Sequence, residues 1–171
     1  QWALNQLYTE EFDYPRKFVV FSGYEWTTGN WIAKTGGGYD GHRSIIYLTS
    51  DQPIFRWTDA GSQDIEGLSR CIEKTNGITH AHHQEWNLSQ SSRECNVEVC
   101  SGWNLYIDNP ECIHRHLSKG YVFGFIGGTD SHRRNPGLCG ALTGVFAKEL
   151  TRAAIFEALK KRRCYATNGS R

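Results

Sequence analysis

Short apolar runs typical of buried β-strands alternate along this chain with amphipathic helical segments. Several of these runs are rich in β-branched and aromatic residues and do not alternate polar with apolar side chains, which is typical of strands buried on both faces. This order of elements predicts parallel strands joined by helical crossovers, an α/β fold. The expected strands are 18–21, 43–48, 78–82, 96–100, 121–126 and 142–147, and the expected helices are 2–12, 64–75, 110–118 and 152–163.

The length and charge of the chain limit its organisation and its class of partner. At 171 residues it is long enough for one domain with a hydrophobic core and too short for two, so we expect 1–171 to form a single domain. A formal net charge of +1 with mixed signs argues against the basic field typical of nucleic-acid binders. No apolar stretch has the length of a membrane span, and no signal-peptide pattern is visible.

The chain does not open like a natural N-terminus. It starts at Gln1, contains no Met, and its first dozen residues already have the pattern of a helix. We therefore expect a fragment of a longer protein whose upstream part is absent, so that localisation signals would be lost with it. The sequence predicts neither a cellular location nor an oligomeric state.

Six cysteines are scattered along the chain without any Cys-x-x-Cys spacing. Their spacing argues against a zinc ribbon or a redox motif. Three disulfides and a set of free buried thiols are both compatible with the pattern. The sequence therefore does not predict their redox state.

The stretch 121–132 combines an expected strand with two chemistry-bearing side chains. A Gly-Gly pair at 127–128 is expected to end the strand. Asp130 and His132 follow two residues apart, and in extended backbone such side chains point the same way. A converging carboxylate and imidazole suit a divalent transition metal. An Asp that caps a turn beside a solvent-exposed His explains the pair equally well.

Further candidate ligands lie at the ends of other expected strands. Glu25 follows the first strand, His42 precedes the second, and His82 ends the third. In α/β folds functional groups gather at the carboxyl ends of parallel strands, so these residues are expected to form one metal site with Asp130 and His132. Each of them alone has a structural explanation, as a surface carboxylate, a strand cap or a core histidine.

The direction of the side chains at 80–83 leaves a choice of ligand. If the strand stays extended, His80 and His82 share a face and His83 opposes them, unless the strand has already ended. We predict that His82 is a ligand and that His83 supports a ligand or contacts substrate. Glu98 either orients a ligand histidine or ends a strand.

Six short motifs, taken together, resemble the PHP (polymerase and histidinol phosphatase) superfamily, in particular its poorly characterised members related to predicted metal-dependent phosphoesterases. The motifs are Gly-Tyr-Glu-Trp-Thr at 23–27, Gly-His-Arg at 41–43, Ala-His-His at 81–83, Val-Glu-Val at 97–99, Gly-Thr-Asp-Ser-His at 128–132 and Arg-Arg-Cys-Tyr-Ala-Thr-Asn-Gly at 162–169. The resemblance covers nearly the whole chain and implies a distorted (β/α)7 TIM-like barrel. The family's N-terminal His-x-His strand is absent, so the barrel is expected to be incomplete at its N-terminus.

The resemblance also implies a cofactor and a reaction. The expected cofactor is a cluster of two or three divalent metals (zinc, manganese or iron) that hydrolyses a phosphorylated small molecule or a phosphodiester. Carried over by position, Glu25 would bridge two metals, His42 and His82 would complete one of them, Asp130 would bind the other, and His132 would reach a third. Glu25, Asp130 and His132 are the expected catalytic residues.

The expected substrate contacts are Arg43, Arg133 and His83. Each arginine is adjacent in sequence to a proposed ligand, and a guanidinium holds anionic oxygens through paired hydrogen bonds. Ordinary surface arginines are the alternative. Two further functions stay open at this stage: a metallohydrolase of other esters or amides, and a truncated or degenerate barrel that binds a metal or a partner without turnover.

Overall fold

A mixed five-stranded sheet lies at the centre of the computed structural model, which describes residues 1–28, 41–83, 86–108, 111–132, 137–138 and 140–168. The helices are α1 Trp2–Glu11, α2 Ile65–Glu73, α3 Glu111–Ser118 and α4 Arg152–Lys160. The strands are β1 Ser22–Thr27, β2 His42–Tyr47, β3 Gly77–His82, β4 Glu94–Ser101, β5 Gly124–Gly128, β6 Leu142–Val145 and β7 Cys164–Thr167. None of the described helices is long and apolar enough to cross a membrane.

The architecture is α/β, but the expected (β/α)7 barrel is wrong. The sheet has the order β1-β2-β3-β4-β5 and, over the described residues, does not close on itself. The pairs β1–β2 and β2–β3 are antiparallel, whereas β3–β4 and β4–β5 are parallel. A second, two-stranded sheet pairs β6 with β7. Apolar runs alone do not reveal strand direction, because antiparallel neighbours need no helical crossover between them.

Two expected strands differ from those in the structure. The segment 18–21 is not a strand, and Phe18 is 62% exposed. β5 continues through the Gly-Gly pair that was expected to end it. A Cβ at Gly127 would lie 2.8 Å from the Ala141 Cβ, and the Thr143 hydroxyl bonds to both the N–H (3.0 Å) and the C=O (2.6 Å) of Gly127. This glycine is needed because β6 approaches β5 closely.

Helices pack on both faces of the sheet. On one face, the apolar stripe of α2 covers Ile45 and Tyr47, and Asp64 begins that helix by accepting a hydrogen bond from the Gly67 N–H at 2.7 Å. α3 packs further along the same face, against Val97. On the other face, α4 packs against Ile46 and Ile78 of β2 and β3.

A buried amide ties α4 and β7 to the main sheet. Asn96 of β4 is fully buried, and its Nδ2 donates to His80 Nδ1 at 3.1 Å and to the Leu159 carbonyl at 3.0 Å. Its Oδ1 accepts from the Cys164 thiol at 3.3 Å. Burial lowers the pKa of His80 to about 4, so this ring is neutral and accepts the bond from Asn96. His80 therefore belongs to the core under α4.

Candidate metal centre

The pairing of three neighbouring strands aligns Glu25, His42 and His82 on one face of the sheet. His42 lies opposite His82 in the β2–β3 ladder and opposite Thr27 in the β1–β2 ladder, and Glu25 is two residues before Thr27. Directly opposite residues of an antiparallel pair point to the same side, as do residues two apart in one strand. Glu25 is near the end of β1, His42 begins β2 and His82 ends β3, so the three side chains share one edge of the sheet.

The carboxylate of Glu25 lies between the two imidazoles. Its Oε1 is 2.6 Å from His42 Nδ1 and 3.2 Å from His82 Nε2. The Thr27 hydroxyl is 3.0 Å from His42 Nδ1. Glu25 is partly exposed and both imidazoles are less so, with side-chain exposures of 39%, 18% and 5% for Glu25, His42 and His82. The donor atoms therefore converge at a position that solvent and a ligand can reach.

His83 joins this group through the backbone. β3 ends at His82, and His83 has φ 69°, a left-handed conformation that is uncommon outside glycine. This turn places its ring 4.4 Å from the His42 ring and stacks it on the His82 ring at 4.0 Å, with an interplanar angle of 28°. One donor atom from each of Glu25, His42, His82 and His83 lies within 4.8 Å of the others. We call these four residues the Glu-His cluster.

Asp130 approaches the Glu-His cluster from the turn after β5. Its Oδ2 is 3.7 Å from His83 Nε2, and its φ of 43° again reflects a left-handed turn. Among the described residues, this Oδ2 is the one buried side-chain oxygen or nitrogen without a hydrogen-bond partner. A buried polar atom without a hydrogen bond costs about 1–3 kcal/mol of stability, and a charged atom costs more. A cation beside the cluster would provide the missing partner.

A set of polar groups behind the Glu-His cluster orients its histidines. Glu98 Oε2 lies 3.2 Å from His82 Nδ1 and accepts from the His83 N–H at 3.4 Å. The Tyr106 hydroxyl lies 3.2 Å from His83 Nδ1 and 3.0 Å from the Ser101 hydroxyl. Sequence reasoning offered Glu98 as one option. It missed Tyr106 and Ser101, for which no motif or spacing gave a signal.

Gly128 leaves room for this arrangement. A Cβ at Gly128 would lie 2.9 Å from Glu98 Oε1, closer than side-chain carbons approach oxygens in folded proteins. The second glycine of the pair at 127–128 therefore lets the carboxylate of Glu98 sit beside His82. Gly128 is the last residue of β5, and the absence of a side chain there leaves space for a side chain of the neighbouring strand β4.

The electrostatics of the metal-free Glu-His cluster favour an ionised Glu25 carboxylate beside a protonated His82 and a neutral His83. Hydrogen bonds from His42 and then His82 hold the pKa of Glu25 well below its usual range. Burial opposes charge on His82, but Glu25 and Glu98 outweigh it and raise the pKa of His82 to about 9. Burial, with His82 and His42 nearby, lowers the pKa of His83 to about 4. His83 is therefore neutral at pH 7, the form that binds metals.

The structure does not bring every expected site residue to the Glu-His cluster. Arg43 follows His42 in β2 and so points to the opposite face, where it is fully buried, pairs with Glu94 and donates to the His42 carbonyl at 3.0 Å. His132 is exposed and packs beside Trp103, with ring centroids 5.5 Å apart. Arg133 lies outside the described residues.

The donor set fits a divalent transition metal. Three imidazoles and a carboxylate, with a second carboxylate nearby, are the nitrogen and oxygen ligands that zinc, iron and manganese accept. Ligand histidines in such sites hydrogen-bond through their other ring nitrogen, as His82 does with Glu98 and His83 with Tyr106.

Comparisons with known proteins support the fold and assign no activity. The model of a protein family of unknown function, DUF3604, matches residues 134–171. No curated protein matches the chain. The chain is similar in structure to a two-domain protein from Bacteroides vulgatus that contains a predicted PHP-like metal-dependent phosphoesterase. The match has 22% sequence identity and a TM-score of 0.63, and covers 97% of this chain and 48% of that one. This chain thus spans about half the length of that protein.

Proposed function

We propose that this chain is a metal-dependent hydrolase that binds divalent metal ions at the Glu-His cluster and cleaves phosphoesters. The observation that carries the proposal is the convergence of Glu25, His42, His82 and His83 within 4.8 Å at one edge of the sheet. The Oδ2 atom of Asp130 beside them, which is buried without a hydrogen-bond partner, supports it. The phosphoester is favoured because the Bacteroides vulgatus protein of similar fold is described as containing a predicted PHP-like metal-dependent phosphoesterase.

The residues of the chain have distinct roles in this proposal. When bound, the metal would lower the pKa of a water molecule and neutralise charge on the phosphoryl group. Glu25, His42, His82 and His83 would hold it, and Asp130 would bind on the side that His83 faces. With Nδ1–H of His82 donating to Glu98, its Nε2 lone pair is directed at Glu25. With Nδ1–H of His83 donating to Tyr106, its Nε2 is directed at Asp130.

The substrate contacts of the proposal differ from those expected from sequence. Arg43 is left out, because its guanidinium is buried on the opposite face. Arg133 remains a proposed contact for anionic oxygens, on the strength of its position in the sequence next to His132. His83 is assigned to the metal, and His132, at the rim, to the substrate or to a further metal.

Protein purified without chelator is expected to contain at least one divalent metal per chain by elemental analysis. With added manganese or zinc it should hydrolyse members of a panel of phosphomonoesters and phosphodiesters. Asp130→Asn should reduce this hydrolysis more than about 100-fold, because the amide lacks the negative charge, while the far-ultraviolet circular dichroism stays unchanged. Asp51→Asn, an exposed carboxylate after β2, is the matched control.

The result has three readings. Absence of bound metal in the wild-type protein would refute the proposal. Stoichiometric metal without turnover of any ester would leave a metal-binding domain that is not an enzyme. Turnover of carboxylic esters or amides in place of phosphoesters would retain the metal site and change the substrate class.

Metal affinity is expected to rise with pH. In the metal-free protein the pKa of His82 is raised to about 9, so the ring carries an extra proton at pH 7 that the metal must displace. The apparent association constant should therefore increase roughly tenfold per pH unit between pH 6.5 and 8.5. His83, with its pKa lowered to about 4, contributes no proton in this window. Titration calorimetry with Mn²⁺ in buffers of different ionisation enthalpy measures the proton released; an affinity independent of pH would contradict the assignment of His82.

A further inference from the structure

The indole of Trp103 lies near the Glu-His cluster and has no role in the proposed hydrolysis. Trp103 is 64% exposed, although a residue of this size usually buries most of its surface. It lies in the turn after β4, at the same edge of the sheet as the cluster. Its Nε1–H donates to the backbone carbonyl of Asp130 at 2.9 Å, while the carboxylate of Asp130 faces His83. Asp130 therefore connects the indole to the proposed metal site.

The turn holds this indole in place despite its exposure. The Ser101 hydroxyl accepts hydrogen bonds from the backbone N–H groups of Trp103 (3.0 Å) and Asn104 (3.4 Å). The Ser101 N–H bonds to the Asn104 carbonyl at 2.8 Å and the Gly102 N–H to the Thr129 carbonyl at 3.2 Å. Together with the indole N–H these bonds tie the turn after β4 to the turn after β5. The ring is thus ordered before any ligand arrives.

An ordered, exposed ring beside a reaction centre is suited to stacking. Aromatic faces attract other flat rings and the apolar faces of sugars, and little conformational entropy is lost when the side chain is already fixed. The residues around Trp103 suit a phosphoester, with the Glu-His cluster on one side and His132 on the other. An alkyl ester would leave the indole uncovered.

We propose that Trp103 is a specificity-determining residue whose indole stacks on a flat ring carried by the substrate next to its phosphoester. This inference rests on the proposed function, because the metal centre is what would hold the phosphoryl group. The class of substrate is an ester in which an aromatic or heteroaromatic ring lies within one or two bonds of the phosphoryl group.

The test compares two non-hydrolysable ligands that share a head group. Phenylphosphonate and methylphosphonate are titrated into manganese-loaded protein by calorimetry, which requires no turnover. Phenylphosphonate should bind roughly 10-fold more tightly, and Trp103→Ala should remove this preference while leaving the affinity for methylphosphonate and for Mn²⁺ unchanged. Trp103→Phe should keep most of it, since a ring remains. Trp57→Ala, an indole of 47% exposure between β2 and α2, is the control.

The outcomes separate this inference from the proposed function. If both phosphonates bind the loaded protein and Trp103→Ala leaves their ratio unchanged, the stacking role is refuted and the metal site stands. If Trp103→Phe loses the preference as fully as Trp103→Ala, the indole acts through its bond to Asp130, and the stacking role is again refuted. If Mn²⁺ binds but neither phosphonate does, both proposals fail.

Discussion

Replacing Glu25 with glutamine is expected to abolish stoichiometric metal binding and, with it, hydrolysis. The carboxylate lies 2.6 Å from His42 Nδ1 and 3.2 Å from His82 Nε2, so it is the anion shared by two of the proposed ligands. An amide of the same shape removes the negative charge that would offset a divalent cation. The dissociation constant for Mn²⁺ should rise by more than about 100-fold, since even partners outside the ligand set change metal affinity by 10- to 100-fold.

The fold should tolerate this change. Glu25 is 39% exposed, and partly exposed ion pairs contribute only about 0–1 kcal/mol to stability. Urea denaturation of metal-free Glu25→Gln and wild-type protein should therefore give similar free energies of unfolding. Glu66→Gln in the exposed first turn of α2 is the matched control and should retain full metal content. If Glu25→Gln bound Mn²⁺ with wild-type affinity, the metal would not be held by Glu25 and the proposed site would be wrong.

Replacing Arg43 with methionine is expected to destabilise the protein by about 3–5 kcal/mol, the cost of breaking a buried ion pair. Arg43 and Glu94 have side-chain exposures of 0% and 2%. The guanidinium also donates to the backbone carbonyls of His42 and Asn87. Its removal leaves the Glu94 carboxylate buried with a backbone hydrogen bond from Ser89 but without its cation. For a chain of this size the melting temperature should fall by roughly 10 °C.

A double variant separates a structural role from a substrate contact. Arg43→Met/Glu94→Leu removes both charges and should recover much of the lost stability, because buried ion pairs are often no better than apolar replacements. Arg56→Met, an exposed arginine between β2 and α2, should change the free energy of unfolding by less than about 0.5 kcal/mol. If Arg43→Met unfolds like wild type and instead weakens the binding of phosphate, Arg43 contacts substrate as its position in the sequence suggested.

Local patterns predicted the helices α1 to α4 and several strands. In α2 the stripe of Ile65, Leu68 and Ile72, with Asp64 as the N-cap, is a property of neighbouring residues along the chain, and the structure confirms it. The apolar runs of β2 and β3 are also local patterns, and they predicted these two strands to within one residue of their bounds. β7 was missed because four residues of partly buried strand carry almost no pattern.

The identities of the metal-binding candidates were also visible in the sequence. Glu25, His42 and His82 are the residue types that hold transition metals, and each was expected at the end of a strand. Alternation along a strand is local, so the common face of two residues in one strand can be deduced from sequence. The sequence does not reveal which strands become neighbours or in which register they pair, because pairing depends on hydrogen bonds between distant segments.

Tertiary structure decided the fold and the membership of the site. The antiparallel register of β1, β2 and β3 produced an open mixed sheet where parallel strands and a barrel were expected. Alternation along β2 points Arg43 away from His42, and tertiary packing buries its guanidinium there beside Glu94. A left-handed backbone at His83 brought this ring into the Glu-His cluster, against the alternation that would have turned it away. The residue types in the sequence thus indicated a metal site. The convergence of those side chains required backbone turns and strand pairing that no local pattern specifies.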